Sequence, residues 1–229
     1  MSKHLTRMIF SGTLCIAAAS NITHAAVLID GTTLNGGFEG PDLSVAGSAK
    51  QGFDMAGKDS AAWVNTTTTY GGAAGASYND VGVDFNAGGA HSGNQFAFFH
   101  GGEGGAYNMT TYVIQAGDQF SLTWWGRADS IAMRLFSSTD GSYGTATTLA
   151  EIVQIQDDPG GFAQYLLAYS AVATDVGKTI GVSIFNPDVG YANVDDVMLT
   201  VVPETSSSVL LIGGAALITR RSRKRHNAA

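Results

Sequence analysis

The stretch Gln119 to Arg127 alternates with a period of two, placing Phe120, Leu122 and Trp124 on one side and Ser121, Thr123 and Trp125 on the other. Successive side chains of a strand point to opposite faces, so this pattern marks a strand with one buried face. Ile131, Met133 and Leu135 repeat it, as do Ile180, Val182 and Ile184, and then Val197, Leu199 and Val201. Turn signals separate such stretches at Gly71-Gly72, Asp140-Gly141 and Asp158-Pro159-Gly160-Gly161. Helical periodicity is scarce. Many short strands between glycine-bearing turns predict an all-β, antiparallel sandwich.

The two ends of the chain have a different composition. Lys3, His4 and Arg7 precede an apolar run from Met8 to Ala19, and Ala25 and Ala26 supply small residues for cleavage. That order predicts a secretory signal peptide over residues 1–26. Cys15, the only cysteine, falls inside it, so the mature chain would have no disulfide, thiol nucleophile or cysteine metal site. Residues 27–202 hold five basic against 18 acidic residues, a net charge of −13. A body this acidic repels phosphate backbones, which excludes nucleic acid as a partner.

At the other end Pro203, Glu204 and Thr205 lead through serines into the apolar segment 209–218 and then Arg220, Arg221, Arg223, Lys224 and Arg225. The order resembles the PEP-CTERM sorting signal of Gram-negative bacteria, with Thr205 standing where that pattern has its second proline. The resemblance implies export machinery and an exosortase-type enzyme as partners, and a membrane-tethered intermediate before release to the cell surface or extracellular matrix. Residues 206–219 as a helix reach about 21 Å at about 1.5 Å per residue, against a hydrocarbon core of about 30 Å. A segment that short suits a processed transmembrane helix better than a permanent anchor.

The central domain carries three further marks: Leu34-Asn35-Gly36-Gly37-Phe38-Glu39, Phe120 to Arg127, and Val194-Asp195-Asp196-Val197-Met198-Leu199. They are similar to marks of the galactose-binding-like jelly rolls, a superfamily that includes carbohydrate-binding modules. The resemblance implies a structural calcium ion where the first and last strands meet, on Glu39 and Asp195 with Asp196 as the alternate. Calcium takes six to eight oxygens, so backbone carbonyls or water would complete the set. The other reading has Asp195 and Asp196 binding turn amides. Period two puts Asp195 beside Val197 and Leu199, where a carboxylate without a partner is costly.

Carbohydrate modules lay exposed aromatic rings against sugar faces. Trp125 is the first candidate, being on the face opposite Phe120 and Leu122. Trp63, Tyr107, Tyr112 and Tyr191 are further candidates, with Arg127 and Arg134 as hydroxyl-binding groups. The alternative is that these rings only pack the two layers. Catalysis finds no comparable support: His91 and His100 belong to no metal-protease motif, and 18 acids identify no particular glycosidase pair.

The expectation is a leader over 1–26, one jelly-roll domain over 27–202 and a sorting tail over 203–229. Its work would be structural or adhesive within an exopolysaccharide layer, without catalysis. The alternative is a dedicated carbohydrate-binding protein with an aromatic sugar site, and a secreted glycan hydrolase stands third.

Overall fold

The computed structural model describes residues 24–40, 42, 50–52, 62–65, 81–85, 89–100, 105–128, 130–155, 161–187 and 191–204. The leader before residue 24, the run Thr66 to Thr69, and Thr205 with the apolar and arginine-rich tail lie outside the described residues. Among the described residues no helix is long and apolar enough to cross a membrane. The strands run in chain order as β1 (Ala26–Ile29), β2 (Lys50–Gly52), β3 (Trp63–Asn65), β4 (Val81–Phe85), β5 (Gln95–His100) and β6 (Gly105–Val113). They continue as β7 (Gln119–Ala128), β8 (Ser130–Ser138), β9 (Thr147–Ile155), β10 (Ala163–Ser170), β11 (Thr179–Phe185) and β12 (Tyr191–Val202).

Two antiparallel sheets face each other in a β-sandwich, as the alternation predicts, with the jelly-roll form that the resemblance implies. The seven-stranded sheet has the order β10-β7-β12-β5-β4-β2, with β1 added against β12. The five-stranded sheet has the order β3-β6-β11-β8-β9. Phe120, Leu122 and Trp124 of β7 and Leu199 and Val201 of β12 meet Ile131, Met133 and Leu135 of β8 and Ile180, Val182 and Ile184 of β11 in the core. The core falls between Ile29 and Val201 within the compact unit Thr23–Glu204, and β1 pairs with β12. Its first and last strands being partners, that unit is closed on itself and stands as a folding unit of its own.

The half-buried pattern holds for β10, whose residues alternate between partly covered and exposed. It does not hold for β8 and β11, which are buried on both faces. Large side chains cover the far face of these strands: Phe136, Phe185, Tyr107 and Tyr143 gather over the small residues Ala132, Gly181 and Ser183.

One end of the sandwich is tied by two turns of the same construction. Tyr112 donates its hydroxyl to Asp118 Oδ2 at 2.8 Å, and the same oxygen accepts the Gln115 amide at 2.7 Å. Tyr169 donates to Asp175 Oδ2 at 2.6 Å, and that oxygen accepts the Val172 amide at 2.9 Å. In both, the aspartate lies six residues after the tyrosine and takes the amide three residues before itself. The turns are bonded to each other through Ala171 N–H to Asp118 O and Gly177 N–H to Ile114 O. Hydrogen bonds to a charged acceptor of this kind contribute about 1.5–3 kcal/mol each.

Candidate functional site

Glu39, Asp195 and Asp196 turn their oxygens onto one segment, residues 91–95. Glu39 Oε1 accepts the amides of Asn94 and Gln95 at 2.8 and 2.9 Å. Asp195 Oδ2 accepts those of His91 and Ser92 at 2.9 and 3.0 Å, and its Oδ1 accepts the Asp196 amide. Asp196 binds the His91 imidazole at 2.7 Å and the Ser92 hydroxyl at 2.8 Å. The carboxylates thus strap the 91–95 turn onto the loop that follows β1 and onto the middle of β12. Among the described residues no three acid or histidine side chains are placed to share a metal ion. With their oxygens turned toward N–H and O–H donors, these residues form an amide clamp.

The side on which Asp195 lies differs from the expectation. Asp195 is opposite Trp125 and Met198 opposite Thr123, so β12 has one residue more than β7 between those pairs. Asp196 takes up the extra residue with φ of 47°, as in a β-bulge. The bulge shifts the phase, and Asp195 shares the outer face of the seven-stranded sheet with Trp125 rather than the core face with Val197 and Leu199. The 91–92 turn covers it there, leaving it fully buried. Burial pushes its carboxyl up to about 7, with the Asp196 charge adding to the effect and the three amides opposing it.

The predicted sugar-binding residues do not share one surface. Trp125 lies on the outer face of the seven-stranded sheet, with His91 stacked on its ring at 3.7 Å between centroids. Arg127 is beside it, over the Phe162 ring at 5.1 Å and donating to Asn193 Oδ1 at 2.9 Å. Trp63 is a core residue: fully buried, it tilts against Phe38 and donates its Nε1–H to Asn35 O at 2.9 Å. Tyr112 packs on the core and commits its hydroxyl to Asp118. Tyr191 opens β12 opposite His100, and its side chain lies outside the described residues. Trp63 and Tyr112 are therefore corrected from ligand-binding to structural positions, since their polar atoms and ring surfaces are spent inside the fold.

A different constellation lies on the outer face of the five-stranded sheet. The registers place Val64, Tyr107, Ser183, Arg134 and Glu151 side by side across all five strands. Residues directly opposite in neighbouring strands share a face, and four spacings of about 4.8 Å make this row roughly 19 Å long. Tyr143, on the turn between β8 and β9, stacks on Tyr107 at 4.8 Å between centroids and meets Phe136 edge-on at 5.2 Å. Arg134 lies 4.1 Å over the Phe185 ring and pairs with Glu151, both side chains about one-third exposed. Gly181, Ser183 and Ala132 form a low floor between these groups, and the buried Ser183 hydroxyl has no partner among the described residues.

Tyr143 is held from outside the row. Asp140 Oδ1 accepts the Ser142 amide at 2.9 Å and the Thr145 hydroxyl at 2.6 Å, and Gly141 takes φ of 77°. These bonds hold the Asp140 carboxyl well below the usual range, Thr145 contributing most. The sequence names Tyr107 and Arg134 singly but does not join them. The available signal is the second face of β8, where Ala132, Arg134 and Phe136 alternate against Ile131, Met133 and Leu135.

No family model and no curated relative matches the chain. Among solved structures it is similar to the CBM22-1 xylan-binding domain of Xyn10C from Paenibacillus barcinonensis, with a TM-score of 0.46 at 12% identity over 80% of this chain and 99% of that one. The CBM22-2 xylan-binding domain of the same protein gives 0.42 at 14% identity over 61% and 91%. The K1 cleaved adhesin domain of Lys-gingipain from Porphyromonas gingivalis W83 gives 0.41 at 15% identity over 61% and 90%.

Proposed function

We propose that this is an exported, non-catalytic carbohydrate-binding protein that takes a polysaccharide chain across the outer face of its five-stranded sheet. The row Val64, Tyr107, Ser183, Arg134 and Glu151 carries the reading. A glycan needs apolar surface for its ring faces and polar groups for its hydroxyls. Tyr107, Tyr143 and Phe185 supply the first. The guanidinium of Arg134 supplies donors and the Glu151 carboxylate acceptors. Glu151 is the only acid in the row, whereas glycoside hydrolysis calls on two carboxyl groups flanking the bond.

Under this reading the leader and the PEP-CTERM-like tail deliver the domain, by export and exosortase-type processing, to a surface or matrix where polysaccharide is the ligand. Its structural or adhesive role there is the consequence of that binding. Calcium has no part in the reading.

Binding of residues 23–204 to a panel of polysaccharides, measured by affinity electrophoresis and calorimetry, tests it. Tyr107→Ala and Arg134→Ala should each weaken binding at least about tenfold, corresponding to about 1.4 kcal/mol, while Trp125→Ala should leave it unchanged. Loss with Trp125→Ala and retention with Tyr107→Ala would move the site to the other sheet. Failure to bind any member of a broad panel would leave a matrix protein without glycan recognition.

A further inference from the structure

Exposed edge strands invite pairing with another chain, and proteins guard them with shortness, charge or irregularity. Among the described residues four of the edges are guarded. β2 and β3 are three residues long, and β2 opens on Lys50. β1 has four residues and breaks register between Val27 and Ile29. β9 carries Glu151 at its centre and is out of register with β8 at Leu135 and Phe136.

Among the described residues β10 ends the seven-stranded sheet without any of these devices. Its eight residues, Ala163–Ser170, include no charge, proline or glycine, and they pair with β7 through every position without a shift. The outer face beside it is equally plain. Leu166, Thr123 and Met198 form one row, Ala168, Ser121, Thr200 and Val27 the next, and Ser170, Gln119 and Val202 a third. None of these residues is charged, and Leu166 is 58% exposed, Val27 46% and Met198 40%. The body carries a net charge of −13, so a contact between two copies costs least where both present an uncharged surface. A flat uncharged face next to an unguarded edge meets that condition on both partners at once.

We propose that the occupant of this edge is a second copy of the chain, paired β10 to β10 in antiparallel fashion about a twofold axis. A C2 interface presents the same patch on both sides. The residues facing outward on β10 are Gln164, Leu166, Ala168 and Ser170. For the two sheets to join with both cores on one side, outward residues must pair with outward ones. Centring the axis on the most exposed of them puts Leu166 opposite Leu166 of the second copy. The joined sheet then presents two five-stranded faces, so a dimer holds two glycan sites in a fixed relation. This inference does not depend on the glycan reading, since it uses the other sheet.

Sedimentation equilibrium of residues 23–204 and two cysteine variants test it. The wild-type unit should dimerise in the micromolar range, and Leu166→Lys, which sets two like charges opposite each other, should raise the dissociation constant at least about tenfold. Circular dichroism of that variant should match wild type, because the side chain is mostly exposed. Residues 23–204 hold no cysteine, so Leu166→Cys should give a disulfide-linked dimer on mild oxidation. Thr123→Cys should not, because three strand spacings, about 14 Å, exceed the reach of about 7 Å between α-carbons. A unit that stays monomeric at every concentration overturns the proposal, as does a dimer that tolerates Leu166→Lys and forms no Leu166→Cys cross-link. Protection of Leu166 only in the full-length chain, with the unit monomeric, would assign the face to the tail and also overturn it.

Discussion

His91 lies almost flat on Trp125, with 3.7 Å between ring centroids and 14° between planes, and its Nδ1 is 2.7 Å from Asp196 Oδ2. The tryptophan that the alternation of β7 singles out is therefore covered by a turn that three carboxylates hold in place. The other two tryptophans, Trp63 and Trp124, are fully buried. Removing the imidazole with His91→Ala should consequently make Trp125 the one tryptophan that a neutral quencher reaches more easily. Steady-state acrylamide quenching should rise clearly in this variant, and an unchanged slope would mean that the stack does not shield the ring.

Asp195 should make the fold lose stability as pH rises toward neutrality. Its carboxyl is raised from 3.8 to about 7, chiefly by burial. Between those values the folded chain holds a proton there that the unfolded chain has released. Stability is therefore greatest below pH 3.8 for this group, and falls as pH climbs through the window up to about 7. A shift of that size is worth at most on the order of 4 kcal/mol. Urea midpoints across that range should slope downward in wild type and flatten in Asp195→Asn, with Asp196→Asn keeping the wild-type trend. A variant Asp195→Asn with the wild-type slope would remove Asp195 as its source. Calcium or chelator should not move the midpoints, since a cation on these oxygens would hold Asp195 ionised and abolish the slope.

The contrast between Leu122 and Asp195 explains what could be read from the chain. Period two put Leu122 in the core correctly because β7 runs unbroken against β10. The same rule misplaced Asp195, because one extra residue at Asp196 reverses every face beyond it. No local pattern marks that insertion; it exists only in the register with β7. Trp63 failed for another reason: β3 is three residues long and offers no alternation from which to choose a face. The row from Val64 to Glu151 draws a single residue from each of five strands, so only the pairing order assembles it.

The paired turns at Tyr112 and Tyr169 should behave as one structural unit. Burial, and then the adjacent carboxylates, push both phenols up to about 12, so these two tyrosines should ionise above the ordinary phenol range in an alkaline titration. Tyr112→Phe leaves Asp118, whose Oδ1 already has no partner, with one hydrogen bond fewer in a buried setting. Either Tyr→Phe change should cost about 1.5–3 kcal/mol. Because the turns are bonded through Ala171 and Gly177, the double variant should depart from additivity by more than about 0.5 kcal/mol. Strict additivity in urea denaturation would show that the two turns stand independently.

Asp140 should act on glycan binding through Tyr143 without touching the ligand. Its carboxylate gathers the Ser142 amide and the Ser138 and Thr145 hydroxyls, which shapes the turn that lays Tyr143 on Tyr107. Asp140→Ala removes all three bonds and loosens the ring, whereas Tyr143→Ala removes the ring itself. Both should weaken binding, and combining them should cost no more than Tyr143→Ala alone, because the carboxylate has nothing left to position. Asp140→Asn keeps an acceptor oxygen and should recover part of the loss. Calorimetry on the four variants decides the matter: additive losses for Asp140→Ala and Tyr143→Ala would mean that Asp140 meets the glycan directly or acts elsewhere in the fold.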